Sequence, residues 1–286
     1  MILVADSGSS KTDWLLHVGQ QDSISFKTAG LNPYFLSEKE IAKIIHDQAP
    51  GMLAYADKID EIYFFGAGCS SPDRHEIVSN AISLHFPKAY VSVDSDLLGC
   101  AYATCGHEKG ICCVMGTGSN ISFFDGEEIF EGQHGLGYVL GDEGSGTWFG
   151  KTLITDFLYG RMPEVINTRF EEAYHLNKDI VIKNVYQKPN GNTYLASFSK
   201  FVSEIKTTPY GQEILERGLM EFIKTNIKSY HEYHKYKCHF VGSIAYFFAD
   251  ELIALCHEQG VKTGKVIKQP INDLMAFILK RNEQLA

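Results

Sequence analysis

Residues 141–147, Gly-Asp-Glu-Gly-Ser-Gly-Thr, place two carboxylates and two hydroxyls among three glycines, within otherwise apolar surroundings. Polar side chains on such flexible backbone suit a tight turn, a metal site or the rim of a pocket. The stretch alone does not decide among these three, so the rest of the chain must.

The segment Asp6-Ser-Gly-Ser-Ser-Lys-Thr12 ends one strand-like run and leads into another. Gly8 lets the backbone approach a ligand, and successive N–H groups of the turn can form an anion nest. Asp6, at the tip of the strand, could hold Mg²⁺ directly or through water. A polar hairpin turn without a ligand explains the segment equally well. A P-loop is excluded, because Ser10 stands where that motif requires glycine and a strand follows.

A second turn, Gly116-Thr-Gly-Ser-Asn120, also lies between two predicted strands. The dinucleotide fingerprint needs a helix after its glycines and is therefore excluded. Two such hairpins facing each other across a cleft can grip a polyphosphate from both sides. Further on, a predicted strand runs into Gly242-Ser243 and then a helix. A small residue there lets a flat ring lie against the backbone, although Ser243 as an ordinary N-cap explains the same pattern.

Two further carboxylates, Asp94 and Asp96, follow a predicted strand at 89–93. Carboxylates at strand ends in open α/β sheets face the ligand crevice, and one of the two could take a proton from a hydroxyl nucleophile. Helix capping by Asp94 or Ser95 is the alternative. The histidines and lysines of 231–239 lack metalloprotease spacing and fit a solvated helix end.

These residues need elements that position them, and the pattern of strand, glycine-containing turn and strand occurs twice, at 2–18 and 111–124. Gly8 and Gly118 lie 110 residues apart. The repetition predicts two α/β halves that each begin with a β-hairpin. Ser37 with Glu40 predicts a capping box at the start of a helix. The later predicted helices span 146–160, 164–174, 193–206, 208 to about 233, 243–258 and 271–280.

The chain has 286 residues, of which 44% are hydrophobic and 21% charged, which is typical of a soluble globular protein with one large or two ordinary domains. The net charge of −9, without a dense basic cluster, argues against nucleic acid as the main partner. The N-terminus lacks a secretory pattern, and the longest apolar stretch contains Asp250 and Glu251, which argues against a membrane span. Seven scattered cysteines without a C-x-x-C motif predict reduced thiols and a cytoplasmic protein.

Taken together, segments 6–12, 116–120, 141–145 and 240–244 resemble, in order and spacing, the BadF/BadG/BcrA/BcrD ATPase family. They are most similar to its N-acetylglucosamine kinase branch, within the superfamily of actin, heat-shock chaperone ATPases and sugar kinases. The resemblance implies an α/β fold of two duplicated RNase H-like (actin-like ATPase) domains with an interdomain nucleotide cleft. The domains would be residues 1–108 and 109–286, the final helix being a candidate to pack back on the first.

The resemblance also implies roles for individual residues, with ATP and Mg²⁺ as cofactors. Asp6 would serve Mg²⁺ and Asp96 would be the catalytic base. The β- and γ-phosphates would contact Gly8, Ser9, Lys11 and Thr12 on one side and Thr117 and Gly118 on the other. Adenosine would lie near Gly242 and Ser243, and the sugar would contact Asn32, Gly135 and Asp142.

The implied function is ATP-dependent phosphorylation of an amino sugar or hexose, with N-acetylglucosamine as the first choice and a homodimer as a possible assembly. The segment His134-Gly-Leu-Gly137 departs from the Gly-Gly-Trp-Gly of the mammalian enzyme, which leaves the sugar open. One alternative is an ATPase activator of a radical dehydratase, although Cys69, Cys100, Cys105 and Cys112 form no recognisable cluster pattern. Another is a non-catalytic, ATP-dependent sugar sensor. Glu143 has two open roles, capping the following helix or ordering the loop.

Overall fold

The computed structural model describes residues 1–8, 10–19, 22–132 and 135–285. Ser9, which was expected to contact phosphate, lies outside these residues. The described strands are β1 (Ile2–Ser7), β2 (Lys11–Gly19), β3 (Asp22–Ala29), β4 (Glu61–Gly66), β5 (Tyr90–Ser95), β6 (Gly110–Met115), β7 (Ser119–Phe124), β8 (Ile129–Glu131), β9 (Lys237–Val241) and β10 (Lys262–Ile267).

The α-helices are α1 (Glu38–Gln48), α2 (Pro50–Leu53), α3 (Pro72–Ser83), α4 (Asp96–Thr104), α5 (Gly137–Leu140), α6 (Gly146–Leu158), α7 (Glu164–Tyr174), α8 (Lys178–Ile182), α9 (Gly191–Ser197), α10 (Ser199–Ile205), α11 (Pro209–Thr225), α12 (Ser243–Phe247), α13 (Ala249–Glu258) and α14 (Ile271–Leu285). Short 3₁₀ turns lie at Ala56–Lys58, Ile227–Ser229 and Tyr233–Lys235, and a π-helical turn lies at Lys183–Gln187.

The chain divides into two compact units. Unit 1 contains Met1–Glu108, Phe124–Ile129 and the chain from Gln269 onward, and unit 2 contains Lys109–Phe123 and Phe130–Lys268. Helix α14 therefore belongs to unit 1, where it packs against α4.

Each unit is built on a five-stranded sheet, and the two sheets share one strand order. In unit 1 the order is β3-β2-β1-β4-β5, with β1 antiparallel to β2 and parallel to β4. In unit 2 the order is β8-β7-β6-β9-β10, with β6 parallel to β9 and β9 parallel to β10. Strand β6 thus takes the place of β1, and β7 that of β2. The predicted fold class of two duplicated α/β halves is confirmed, whereas the nucleotide cleft stays a prediction.

The two faces of the first sheet differ in polarity because strand side chains alternate. Ala5, Trp14 and Phe64 share a register row on the face that forms the apolar core with α1 and α3. On the other face, Asp6 pairs with Asp13 on one side and with Phe65 on the other. Helices α4 and α14 contact the strands that carry this polar row.

The core of unit 2 places helices very close together. Gly150 lies within α6 and faces α9 so closely that a Cβ at this residue would lie 1.8 Å from the Leu195 carbonyl oxygen. Phe149 and Leu195 are buried in the same cluster. Backbone contact between these helices therefore depends on the missing side chain of residue 150.

Four of the predicted helices end or break differently from the sequence expectation. The one expected at 271–280 continues to Leu285. The helix expected to reach about residue 233 ends at Thr225, because Ser229 N–H and Oγ both bond back to the Asn226 carbonyl and tighten the chain into a 3₁₀ turn. The histidine- and lysine-containing segment therefore lies beyond the helix. The helices expected at 243–258 and 193–206 are each split in two, around buried Phe248 and Phe198. The predicted capping box of Ser37 and Glu40 is confirmed.

All seven cysteine side chains are buried and none forms a disulfide. In the part of the chain that the structure describes, no helix combines the length and apolar character needed to cross a membrane.

We predict that Gly150→Ala destabilises the protein by about 3 kcal/mol, because the new methyl group forces α6 and α9 apart. Urea denaturation followed by circular dichroism measures the change. Gly51→Ala is the control, since a Cβ at residue 51 meets only Phe26 Cε1 at an ordinary 3.5 Å. Equal stability of the two variants would contradict the close helix contact.

Candidate functional site

The turn between β1 and β2 is supported from within the sheet. Gly8 N–H donates to the Lys11 carbonyl at 3.0 Å, and the hydroxyls of Ser7 and Thr12 bond to each other at 2.8 Å. Ser7 Oγ also accepts from Leu31 N–H at 3.1 Å. Ser7 and Thr12 are both buried. Their side chains therefore hold the turn in shape, and the phosphate contact expected of Thr12 stays a prediction.

Lys11 is anchored by a buried carboxylate. Its Nζ lies 2.5 Å from Asp13 Oδ2, while its side chain remains 51% exposed. Gln269 Nε2 donates to the same oxygen at 3.1 Å, and Lys27 Nζ lies 3.9 Å from Asp13 Oδ1. An exposed ammonium held in this way beside the turn suits an anionic ligand. Sequence reasoning missed Asp13 and Gln269, which are 256 residues apart.

Asp6 carries negative charge that the described residues do not neutralise. Burial, followed by the nearby charges of Asp96 and Asp13, raises the pKa of Asp6 to about 7, and only Lys11 opposes the shift. None of the described residues donates a hydrogen bond to this carboxylate. A carboxylate without a partner in a negative environment is suited to a cation.

Mg²⁺ fits the surroundings of Asp6 if waters or phosphates supply most of its oxygen ligands. It usually takes one or two protein carboxylates, and waters and phosphates complete its octahedral shell. Within the described ranges no three His, Cys, Asp or Glu residues are close enough to enclose a metal by themselves. Asp6 can therefore supply the protein's share of such a shell, directly or through water.

Asp94 and Asp96 lie in different surroundings, although only one residue separates them. Asp96 begins α4, where its Oδ1 accepts from Leu97 N–H at 3.0 Å, and its charge acts on Asp6. Burial raises the pKa of Asp94, and the opposing influences are His75, Ser92 and Arg281. The helix cap is Ser95, whose Oγ accepts from Leu98 N–H. Capping by Asp94 is therefore wrong. Asp94 shares a register row with Phe65 and Asp6, while the charge of Asp96 acts on Asp6, so the choice of Asp96 as the base stays a prediction.

Asn32 is locked in place by its own backbone turn. Its buried Oδ1 accepts from Tyr34 N–H at 2.9 Å. Gly68, at φ +82°, passes so close that a Cβ there would lie 2.3 Å from this oxygen. The side-chain amide Nδ2 has no hydrogen-bond partner among the described residues, so it is the end that a ligand can use. Sequence reasoning did not identify Gly68, whose role depends on this contact.

In unit 2, three chain segments meet at Gly116. We call residues 116–119 the second hairpin turn and residues 141–147 the glycine-rich loop. Gly146 N–H donates to the Gly116 carbonyl at 2.8 Å, and Thr147 N–H donates to the Thr117 carbonyl at 3.0 Å. Gly242, at φ +125°, approaches from β9, and a Cβ there would lie 2.3 Å from the Met115 carbonyl oxygen. Thr117, Gly118 and Gly242, which were predicted separately, thus lie in one region of the unit.

Gly242 is the N-cap of α12, and Ser243 is the first helical residue. No side chain caps this helix. The interpretation of Ser243 as an ordinary N-cap is therefore wrong. Only glycine fits at residue 242, because any side chain there would clash with the backbone of Met115.

Asp142 lies against the second hairpin turn. It adopts φ +60°, and a Cβ on Gly118 would lie 2.7 Å from Asp142 Oδ2. Burial raises the pKa of Asp142, while a hydrogen bond from the Ser119 backbone and the charge of Lys151 lower it. The residue expected to bind sugar therefore touches the turn expected to bind phosphate.

Gly135 lies at φ +76°, and a Cβ there would lie 3.0 Å from the side-chain amide of Asn120. Asn120 directly follows the second hairpin turn and was not singled out from the sequence. The contact brings the segment containing Gly135 to the same hairpin as Asp142.

Glu143 accepts a hydrogen bond from Asn226 and does not cap the next helix. Asn226 Nδ2 donates to Glu143 Oε2 at 3.3 Å. The N-cap of α6 is Ser145, whose Oγ accepts from Trp148 N–H at 3.2 Å. Of the two roles left open by the sequence, capping is wrong, and ordering of the loop stays a prediction.

Comparison with solved structures decides the family. A Porphyromonas gingivalis protein, provisionally named an N-acetylglucosamine kinase, is 34% identical, with a TM-score of 0.93 over 99% of this chain and 100% of that one. The chain belongs to this N-acetylglucosamine kinase-like family. No protein-family model and no curated protein sequence matches the chain.

More distant structures share the fold of this kinase-like protein. A provisionally named N-acetylglucosamine kinase from Chromobacterium violaceum is 14% identical, with a TM-score of 0.70 over 96% of this chain and 98% of that one. A ROK family glucokinase from Streptomyces griseus, in complex with glucose and AMPPNP, is also 14% identical, with a TM-score of 0.55 over 96% and 97%. At 14% identity, these two similarities show only that the chain shares the fold of both structures.

We predict that Asp6→Asn stabilises the metal-free protein, and that this gain grows between pH 5 and pH 8. The pKa of Asp6 is raised in the folded state, so its contribution to stability is complete below about pH 4 and is lost as the pH rises through about 7. Asparagine removes that loss, which is worth about 1–2 kcal/mol at pH 8 after allowance for solvent screening. Denaturation in the presence of a chelator measures it, and a gain independent of pH would contradict the assignment.

Proposed function

We propose that this protein is an ATP-dependent kinase that phosphorylates a hydroxyl of an amino sugar or hexose, with N-acetylglucosamine as the first candidate. The BadF/BadG/BcrA/BcrD family, and specifically its N-acetylglucosamine kinase branch, is the proposed wider assignment. The observation that carries the proposal is that the charge of Asp96 acts on the buried carboxyl group of Asp6, in a chain with 34% identity to a provisionally named N-acetylglucosamine kinase.

The two carboxylates divide the chemistry in unit 1. Asp96 accepts the proton from the attacking sugar hydroxyl, and Asp6 serves Mg²⁺. Mg²⁺–ATP, when bound, supplies the phosphoryl group and neutralises part of its charge. Gly8 and Lys11 face the phosphates, Lys11 as a point charge anchored by Asp13. This arrangement concentrates positive charge where the transferred group develops negative charge.

In unit 2 the proposed contacts with ATP are made mainly by backbone groups. Thr117 and Gly118 offer their turn to the phosphates, and Gly242 with Ser243 leaves a bare backbone surface for adenosine. The support for ATP is the shared fold with a glucokinase that binds glucose and AMPPNP. Turn N–H groups bind anions without a change in conformation, because the glycine-rich loop already fixes their carbonyls.

The acceptor is proposed to contact Asn32, Gly135 and Asp142. Asn32 presents a donor, its amide Nδ2, because its Oδ1 is already occupied by Tyr34 N–H. Asp142, when ionised, presents acceptors to sugar hydroxyls. The proposed contacts include a donor and acceptors, which suits a polyhydroxylated ligand. The cytoplasmic location and a homodimer remain predictions.

ATP consumption over a panel of acceptors tests the proposal. The panel contains N-acetylglucosamine, glucosamine, N-acetylmannosamine, glucose and muramic-type sugars. We expect turnover with at least one of them, and the fastest with N-acetylglucosamine. An iron-containing, brown protein that phosphorylates none of them would favour the dehydratase activator, and ATP binding without turnover would favour the sensor.

We predict that Asp96→Asn lowers kcat by about 1,000-fold or more while ATP still binds, because an amide cannot accept the hydroxyl proton. Isothermal titration with a non-hydrolysable ATP analogue measures the binding. Asp94→Asn is the matched control, since Asp94 faces His75 and Arg281 and should keep turnover within about 5-fold of the original. Full activity in Asp96→Asn would refute the role of the base.

A further inference from the structure

We propose that Glu143 is a positioning residue, whose carboxylate is held by Asn226 so that the glycine-rich loop and the second hairpin turn present their ligand groups as one rigid body. The inference rests on the proposed function, because that function supplies the ligands of both segments. Glu143 itself touches no reacting atom in this account.

The inner side of the glycine-rich loop is bonded to the second hairpin turn through backbone groups. Gly146 and Thr147 donate to the carbonyls of residues 116 and 117, and Ser119 Oγ donates to the Glu143 carbonyl at 2.8 Å. These bonds fix the loop relative to the turn. They involve backbone groups of the loop and leave the Glu143 side chain to be held by another element.

Helix α11 is that element. Gly218, Phe222 and Asn226 are spaced four residues apart, which places them on one face of the helix. A Cβ on Gly144 would lie 2.8 Å from the Gly218 carbonyl oxygen and 3.0 Å from Phe222 Cβ. Asn226 then binds Glu143 at the end of the same face. The loop therefore runs along α11 and is fastened to it by one side-chain hydrogen bond.

Asn226 is a fixed donor because its own backbone is held at several points. Its side chain is 4% exposed, and its N–H donates to the Phe222 carbonyl at 2.9 Å. Its carbonyl accepts from Ser229 N–H at 3.3 Å and from Ser229 Oγ at 2.5 Å. A buried amide in this position costs free energy if its partner is removed. The Glu143 carboxylate satisfies it and is positioned in return.

The residue that benefits is Asp142, which directly precedes Glu143 in the loop. Asp142 holds a left-handed conformation, φ +60°, that is costly for a residue with a side chain and persists only where its neighbours impose it. If Glu143 is released, the backbone at residue 142 can relax away from Gly118. The acceptor contact and the turn would then both lose their alignment, and misplacement of about 1 Å can cost roughly 100-fold in rate.

Exchanging the donor and the acceptor of the Asn226–Glu143 hydrogen bond tests whether Glu143 acts by positioning the loop. Asn226→Asp puts two carboxylates 3.3 Å apart, and Glu143→Ala removes the acceptor. We expect each to lower kcat/KM for the sugar by about 10- to 100-fold. The double variant Glu143→Gln with Asn226→Asp restores one hydrogen bond with its polarity reversed, and should recover to within about 5-fold of the original protein. A double variant as poor as Asn226→Asp alone would overturn the proposal.

Lys228→Ala is the matched control from the same turn. Its Nζ donates to Gln259 Oε1 at 2.6 Å, next to α13 and away from the loop, so kcat/KM should not change. If Asn226→Asp fails to fold, Glu143→Ala still tests the proposal, because Glu143 is only half-buried. A loss in Lys228→Ala as large as that in Glu143→Ala would show that the turn, and not the Glu143 bond, is responsible.

Hydrogen exchange of the backbone amides of 141–147 provides a readout that does not depend on activity. We expect exchange to be about 10-fold faster in Glu143→Ala and Asn226→Asp, and to return to the original rate in the double variant. If the original protein phosphorylates no sugar but the exchange pattern holds, the proposed function fails and the positioning role stands. If the protein is an active kinase and neither exchange nor kcat/KM changes, the positioning role fails alone.

Discussion

The charge on Asp6 is the constraint to which the polar edge of the first unit is adapted. The carboxyl group is half-buried, the charges of Asp13 and Asp96 act on it, and among the described residues the cation that opposes its raised pKa is Lys11. Burial of like charges without compensation destabilises a fold, so such an arrangement persists where a ligand relieves it. The surrounding residues are consistent with this need: Asp13 holds Lys11 beside the turn.

The second unit meets a related need with different chemistry. Its hairpin occupies the same place in the strand order, yet its turn is held by backbone bonds from Gly146 and Thr147 in place of the paired hydroxyls of Ser7 and Thr12. Backbone N–H groups carry partial positive charge and cannot be titrated, so an anion held by this turn would be held independently of pH. The duplication thus preserved the topology while the two turns acquired separate means of support.

The duplicated fold could be predicted because both hairpins show polar, glycine-containing turns between apolar strands, a signal within about twenty residues of chain. The different surroundings of Asp94 and Asp96 could not be predicted in this way, because they depend on groups from other elements, such as His75 and Arg281 near Asp94. The end of α11 at Thr225 was not apparent from the sequence either: Ser229 bonds back to the Asn226 carbonyl there, and the Asn226 side chain binds Glu143, 83 residues away. Gly68 is similar, since its importance arises only from the contact with Asn32. Local patterns therefore predicted the elements, and contacts between distant segments determined the site.

The fit between Gly118 and Asp142 has a consequence for how this protein can evolve. The carboxylate occupies the space that any side chain at residue 118 would need, so substitutions at the two positions are not independent. A change of Asp142 that suits a different acceptor would leave a gap beside the turn, and a larger residue at 118 would displace the carboxylate. Substitutions elsewhere in the chain, such as at Asn32, leave this pair intact. Because of this steric match, residues 118 and 142 are expected to change together during evolution.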